Sequence, residues 1–354
     1  MFPTLAVTQP FLSIIVPVHN GASTLASCLG AIVAFRDPAW ELIVIDDAST
    51  DASGWIAQKL GARVIKAPSQ QGPAAARNLG AQIAQGDYLC FIDADCEVNS
   101  TTFSQLVRLL LEEPEWDAVF GSYDDAPKAT NFVAQYKNLF HHYVHQTAKE
   151  EASTFWAGCG AVQRSTFLRL GGFDVDRFPR PSVEDIDLGY RLRLAGYRIH
   201  LAKEVQVKHH KAWSFWGLLR TDVCDRGIPW TQLLLQYRSG LINDLNLKLS
   251  HRLSVVLVYL LLLFCFLSLY QPMAILLIVL AVAGLLILNA EVYRFFYRKR
   301  RFNFMLVAVL MHWFYYFYSG LSFVLGAGLY WRTRFKPKQQ LKKLFHLSFN
   351  NSTL

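Results

Sequence analysis

Two carboxylates, Asp93 and Asp95, close the stretch DYLCFIDADC at residues 87–96, directly after an apolar run. In an extended segment, side chains two residues apart point the same way. Two like charges held together raise each other's cost of ionisation. A hard divalent cation removes that cost: Mg²⁺ and Mn²⁺ take oxygen ligands, and Mg²⁺ typically combines one or two protein carboxylates with substrate phosphates. Solvated turns and helix-capping acids share this spacing, so the pair gains meaning only from its surroundings. A second acidic pair, Asp46 and Asp47, closes the apolar run WELIVID in the same manner.

The hydrophobic pattern says what would hold these pairs. FLSIIVPV (11–18), WELIVID (40–46), ARVIKA (62–67) and DYLCFID (87–93) are β-rich runs that read as strands. Between them, STLASCLGAIVAF (23–35) reads as a helix capped by Ser or Thr, SGWIAQKL (53–60) as a short helix, and GPAAARNLGAQIAQ (72–85) as a helix with Pro in its first turn. This alternation predicts an α/β fold with a mainly parallel central sheet covered on both faces. Ligands bind such sheets outside the carboxyl ends of the strands, so both acidic pairs fall at one binding rim.

Charge divides the 354-residue chain. Residues 1–250 carry 23 Lys and Arg against 26 Asp and Glu, whereas the remainder carries 12 against one. The basic excess flanks long apolar runs, which suits anionic lipid headgroups and argues against nucleic acid. LSVVLVYLLLLFCFLSL (253–269) and residues 273–290 are uncharged and near the roughly 20 residues that span a bilayer; they predict a helical hairpin turned at Gln271-Pro272. The aromatic run 302–331 reads as a third span or a re-entrant segment, since a full crossing would put the tail RTRFKPKQQLKKLF outside, against the positive-inside tendency. No signal peptide is visible, and RKRR (298–301) suits a cytoplasmic loop. The expectation is a multi-pass membrane protein with its large N-terminal part facing the cytoplasm: a catalytic-type domain over 1–245, a membrane region of two to three helices over 246–335 and a basic tail over 336–354. The six cysteines show no CxxC or zinc spacing and read as free thiols.

Five ordered blocks carry a resemblance. SIIVPVHNGASTLASCL, ELIVIDDASTDAS, GPAAARNLGAQIAQGDYLCFIDAD, FWAGCGAVQRSTFLRLGGFD (155–174) and EDIDLGYRLRLAGYRI (184–199) resemble family 2 glycosyltransferases of the GT-A fold, over roughly residues 11–240. The resemblance implies a nucleotide pocket lined by Pro17 and Asn20, with Asp47 accepting a hydrogen bond from the base, as from uracil N3–H. It implies Arg77 near the nucleotide or its diphosphate, and Asp93 and Asp95 holding the metal on that diphosphate, Asp95 the more directly. His209 sits where relatives place a metal- or diphosphate-contacting histidine. Asp185 matches the catalytic base, with Glu184 orienting it or touching the acceptor; Asp187 reads as a charge at a helix N-terminus. Gly158, Gly160 and Ala161 fall in the acceptor-side block. Arg226 and Trp230 resemble a shortened Q-x-x-R-W loop of processive synthases, without its Gln and with different spacing, which does not favour processivity. The G-x-G of GCGAVQR lacks the third glycine and the acidic partner of a dinucleotide site.

The implied activity is metal-dependent, inverting transfer of a sugar from a nucleotide-diphospho-sugar, a UDP-sugar by preference, to a membrane-associated acceptor hydroxyl. Mg²⁺ or Mn²⁺ is the implied cofactor. The implied partners are the nucleotide-sugar donor, a lipid-linked or saccharide acceptor and membrane lipids. The alternative within the class is a polyprenyl-phosphate sugar synthase; the alternative outside it is a non-catalytic membrane scaffold on the same fold, disfavoured by the survival of Asp47, Asp93, Asp95 and Asp185.

Overall fold

The computed structural model describes residues 11–35, 37–113, 115–237 and 245–334. The tail expected over 336–354 lies outside the described residues.

Apolar β-branched residues start the chain as β1 (Leu12–Val18), and β2 (Trp40–Asp46), β3 (Arg63–Lys66) and β4 (Tyr88–Ile92) follow. The helices between them are α1 (Ala22–Ala34), α2 (Ser53–Lys59) and α3 (Pro73–Ile83). All match the expected segments within a few residues. The cap of α1 differs: Gly21 stands there without a side-chain hydrogen bond. β1, β2, β3 and β4 pair in parallel. Alternate strand residues enter opposite cores: Ile15, Ile43, Ile45, Leu89 and Phe91 pack on one face, and Ile14, Val16, Val44, Cys90 and Ile92 on the other. Burial of both faces is why these strands lack polar alternation.

The second half is mixed. β5 (Cys96–Val98), α4 (Thr102–Glu112), β6 (Ala118–Tyr123), α5 (Phe132–Gln146), β7 (Glu151–Ala152), β8 (Cys159–Gln163), α6 (Arg164–Arg169), α7 (Glu184–Leu194) and β9 (Ile199–His209) complete the domain. The sheet runs β3-β2-β1-β4-β8-β6-β9-β5, with β7 on β9. β8 is antiparallel to both β4 and β6, and β6 is parallel to β9. The parallel expectation therefore holds for β1 to β4, and the rest of the sheet mixes parallel and antiparallel pairs.

After β9 the chain turns helical. α8 (Phe215–Arg220) runs into a π-helical stretch, Thr221–Gly227, and then α9 (Ile228–Tyr237). α10 (Leu249–Leu267) and α11 (Ala274–Leu288) form the expected hairpin, turned over residues 268–273. α12 (Ala290–Arg334) is broken at Arg301, whose φ is 66°. α10 and α12 are long and apolar enough to cross a membrane, and only 11% and 28% of their most apolar stretches are buried. Helices of a soluble core would be mostly covered. α11, at 15 residues, is about 22 Å long, short of the roughly 30 Å hydrocarbon core on its own.

The RKRR cluster is not a free loop. It ends the first segment of α12, where Lys299 pairs with Asp125. Arg300 donates to Gln135 Oε1 at 2.7 Å and to the Asp125 carbonyl at 2.9 Å. Tyr293 and Phe296 on the same segment pack into the core that contains Tyr136 and Phe140 of α5. The apolar helices are thus locked to the sheet domain.

Candidate functional site

The carboxyl ends of β1, β2 and β4 open into a cavity of about 1830 Å³. Pro17, Asp47, Arg77, Asp93 and Asp95 line it from the sheet side. Glu184, Asp185, His209, Arg226 and Trp230 line it from α7, β9 and the helices that follow. The structure therefore gathers most of the expected residues around one space.

Asp47 is buried, and both its oxygens accept backbone N–H groups, Oδ1 from Gln71 and Oδ2 from Gly72, each at 2.8 Å. Each carboxylate oxygen keeps a second lone pair for a ligand. Gly72 caps α3 with φ 89°, and a Cβ there would stand 2.5 Å from the Pro179 carbonyl oxygen. Only glycine allows this approach, which brings the 179–185 segment against the rim that holds Asp47.

Arg77 is 5% exposed and bridges two acids. It donates to Asp93 Oδ1 at 2.6 Å and to Glu184 Oε1 at 2.9 Å. The guanidinium thus joins Asp93 to the segment carrying Asp185. Asp185 Oδ2 accepts from Ala157 N at 3.2 Å and Oδ1 from Ile186 N at 2.8 Å. Burial, with the neighbouring Glu184 charge, pushes the Asp185 carboxyl up to about 7, against the pull of Arg77.

The two carboxylates of the D-x-D are driven apart. Burial raises Asp93 above the usual carboxylate range, with Asp95 and Glu184 adding to the rise and Arg77 opposing it. Burial acts in the same sense on Asp95, but His209 and Lys211 outweigh it and hold Asp95 low. His209 Nε2 lies 3.6 Å from Asp95 Oδ2, and its ring stacks on Tyr123 at 4.1 Å. Among the described residues no set of three or more His, Cys, Asp and Glu side chains is arranged to hold a metal alone. The donor set fits a cation that completes its shell with substrate phosphate oxygens, the usual manner of Mg²⁺.

Four expected residues fall elsewhere. Asn20 has φ 51°, and its Oδ1 accepts from Thr50 N at 2.8 Å and Asp51 N at 3.3 Å. It ties the loop after β1 to the loop after β2, and the adjacent His19 lines the cavity instead. Gly158, Gly160 and Ala161 do not line it either. A Cβ at Gly158 would stand 2.4 Å from the Trp156 ring, and one at Gly160 2.4 Å from the Trp156 carbonyl oxygen. Their smallness seats Phe155 and Trp156, which do face the cavity. Asp187 is buried, paired with Arg191 at 2.8 Å and bonded by Tyr237 Oη at 2.8 Å.

Several lining residues escaped the motif reading. Tyr123, His141, His145 and Trp156 form an aromatic wall, with His141 and His145 4.1 Å apart. Burial depresses both imidazoles, His145 to about 4, so the wall is neutral at physiological pH. The HHYVH spacing on α5 places these two rings four residues apart on one helix face, which was a visible signal.

Gly189 makes the α7 placement sensitive. A Cβ there would stand 2.3 Å from Phe155 N. The Gly189→Ala variant is expected to lose about 1–3 kcal/mol of stability through overpacking. It is also expected to lose transfer activity, because moving α7 separates Asp185 from Ala157; denaturant unfolding alongside donor turnover measures both.

Residues 13–171 match the glycosyl transferase family 2 model. The chain is 28% identical to glycosyltransferase GlyG of Streptococcus pneumoniae over 162 residues, 44% of this chain and 54% of that protein. It spans between 31% and 54% of the length of the first curated relatives it matches. The fold is similar to the mannosyltransferase PcManGT from Pyrobaculum calidifontis in complex with GDP-Man and Mn²⁺, with a TM-score of 0.53 and 19% identity over 90% of this chain and 88% of that one. It is also similar to S. aureus TarS 1–349 in complex with UDP-GlcNAc, with a TM-score of 0.51 and 16% identity over 85% of this chain and 89% of that one. These likenesses are of fold. The ordered blocks, the sheet and the family match agree that residues 13–171 carry a segment that matches the glycosyl transferase family 2 model.

Proposed function

We propose that the protein is an inverting glycosyltransferase that moves a sugar from a nucleotide-diphospho-sugar to a hydroxyl on a membrane-associated acceptor. One observation carries this reading: the cavity lined by Asp47, Asp93, Asp95 and Asp185 is also lined by Val255, Val256, Tyr259 and Leu263 of α10 and by Phe323 and Val324 of α12. A donor rim and an apolar helix surface share one space. In this reading α10 and α12, apolar and largely uncovered, insert in a bilayer and the sheet domain faces the cytoplasm.

In this reading Asp47 receives the base and Asp185 the acceptor. Asp185 takes the proton from the acceptor hydroxyl as its oxygen bonds to the anomeric carbon. The bond from that carbon to the diphosphate oxygen breaks, and attack from the opposite face inverts the configuration. Asp95 is the ionised ligand for a divalent cation, with Asp93 and His209 beside it. Such a cation, when bound, neutralises charge on the departing nucleoside diphosphate. Arg77 keeps Asp93 and the Glu184–Asp185 segment in register across the site. The glycosyltransferases solved with GDP-Man and Mn²⁺ and with UDP-GlcNAc support a nucleotide-sugar donor; a UDP-sugar, with Asp47 accepting from the uracil imide, is the preferred one.

The test is turnover by the full chain in detergent across a panel of UDP- and GDP-sugars, with Mg²⁺, with Mn²⁺ and with a chelator. Cation-dependent hydrolysis or transfer of one sugar nucleotide is expected. Failure of every nucleotide to bind in the presence of either cation would overturn the reading.

A further inference from the structure

Between the catalytic acids and the apolar helices the cavity wall changes character. Lys137, Lys211 and Arg226 line it there, and the acidic lining residue outside the Asp47, Asp93, Asp95, Glu184 and Asp185 set is Asp222. Lys137 Nζ lies 2.7 and 3.0 Å from the two Asp222 oxygens, Arg226 3.4 Å from Oδ1, and Tyr318 of α12 donates to Oδ2 at 2.9 Å. One carboxylate thus serves two cations, and the stretch holds excess positive charge. Lys137 is more enclosed than Arg226, with 17% of its side chain exposed against 42%, and burial lowers its pKa, with Asp222 opposing.

A further donor stands in the same wall. Trp213 is 5% exposed, and its indole Nε1–H has no hydrogen-bond partner. Lys211 Nζ stands 4.2 Å and the Arg226 guanidinium 5.8 Å from its ring. Arg226 belongs to the π-helical stretch Thr221–Gly227, a rare conformation that recurs at functional sites. That stretch is tied to the catalytic segment by Ser182 Oγ, which donates to the Asp225 carbonyl at 2.6 Å. Beyond the cations the wall becomes Val255, Tyr259, Leu263, Phe323 and Val324.

We propose that this stretch is a phosphate-binding site for a long-chain lipid acceptor. Lys137, Arg226 and the Trp213 N–H hold the lipid's phosphate, the chain leaves between α10 and α12, and the accepting hydroxyl reaches Asp185. A group of cations beside a buried, unpaired N–H matches a phosphate, which accepts several charge-assisted hydrogen bonds at once. The pairing of Lys137 and Arg226 with Asp222, and of Arg77 with Asp93 and Glu184, separates an anchoring charge from the reacting one. The inference rests on the glycosyltransferase reading.

The experiment measures binding to the full-length protein in detergent by quenching of tryptophan fluorescence. The probes are a long-chain isoprenyl monophosphate, the corresponding alcohol, phosphatidic acid and UDP with Mn²⁺. The isoprenyl phosphate or phosphatidic acid is expected to bind at least about tenfold more tightly than the alcohol, as one or two charge-assisted bonds give; which of them wins names the lipid class. Arg226→Gln is expected to remove most of that preference while leaving the affinity for UDP unchanged. Lys137→Gln combined with Asp222→Asn, which leaves no unpaired buried charge, is expected to do the same. Equal binding of phosphate and alcohol by the wild type, or an undiminished preference in both variants, would overturn the inference. Failure of UDP to bind the wild type would count against the glycosyltransferase reading instead, and the lipid comparison would still decide the phosphate site.

Discussion

Asp185→Asn is expected to lower kcat by about 10²–10⁴-fold, the usual contribution of a positioned general base, while UDP binding in the presence of Mn²⁺ stays within about twofold. The amide keeps the shape of the carboxylate and can still face Ala157, so the loss belongs to proton transfer. Retained turnover in the variant would remove Asp185 from the reaction and leave proton acceptance to the acceptor's own chemistry. Burial and Glu184 put the wild-type carboxyl up at about 7, and a base works only when deprotonated. The value of kcat/KM, which reports the free enzyme, is therefore expected to rise about tenfold per pH unit below 7 and to level off above it.

The same shift has a stability consequence of the opposite sense. A carboxyl whose folded pKa lies above its unfolded value, about 3.9, favours the protonated fold. Its charged form therefore costs stability progressively between about pH 4 and pH 7, and fully above. Asp185→Asn removes that cost. The variant is expected to unfold at a higher temperature than the wild type at pH 8, with the difference closing toward pH 4. An inactive variant that is also more stable would mark a group kept for chemistry at the expense of the fold.

How much of this was legible in the sequence depended on which physics was local. β1, β2, β4, α2 and α3 follow from apolar runs and from Pro73 at a helix start, all short-range features. The rim holding Asp47, Asp93 and Asp95 follows from parallel pairing and strand ends. What stayed hidden depends on the register of distant segments. The resemblance puts Gly158 and Gly160 in an acceptor-side block, yet they serve by being small behind Trp156, which the cavity touches. Asn20 lies in a loop of the nucleotide type but spends its amide on Thr50 and Asp51. The RKRR cluster reads as a loop because its partners Asp125 and Gln135 lie more than 150 residues away. Lys137 and Asp222 carry no motif; their pairing arises only when the π-helical stretch meets α5.

Arg77 shows the same limit most sharply, and its replacement carries the second large expectation. The resemblance puts it near the nucleotide or its diphosphate. The structure buries it between Asp93 and Glu184, with Asp185 adding to the charges it balances. Removing one partner of a buried ion pair strands the other charges, at a cost of about 3–5 kcal/mol. Arg77→Met is accordingly expected to lower the unfolding midpoint by on the order of 10 °C near pH 7. The sign with pH discriminates this from simple loss of packing. Without the guanidinium, Asp93 and Asp185 have folded pKa values further above their unfolded ones, so the penalty is present above those unfolded values and shrinks as the acids protonate on going down to about pH 4. A packing defect would persist at every pH. Arg77→Lys keeps the charge but not the fork that reaches two carboxylates at once; it is expected to recover part of the stability and little of the turnover. Equal loss at pH 4 and pH 8 for the Met variant would show that Arg77 fills space; a pH-dependent loss makes it the counterion that lets three carboxylates share one wall of the site.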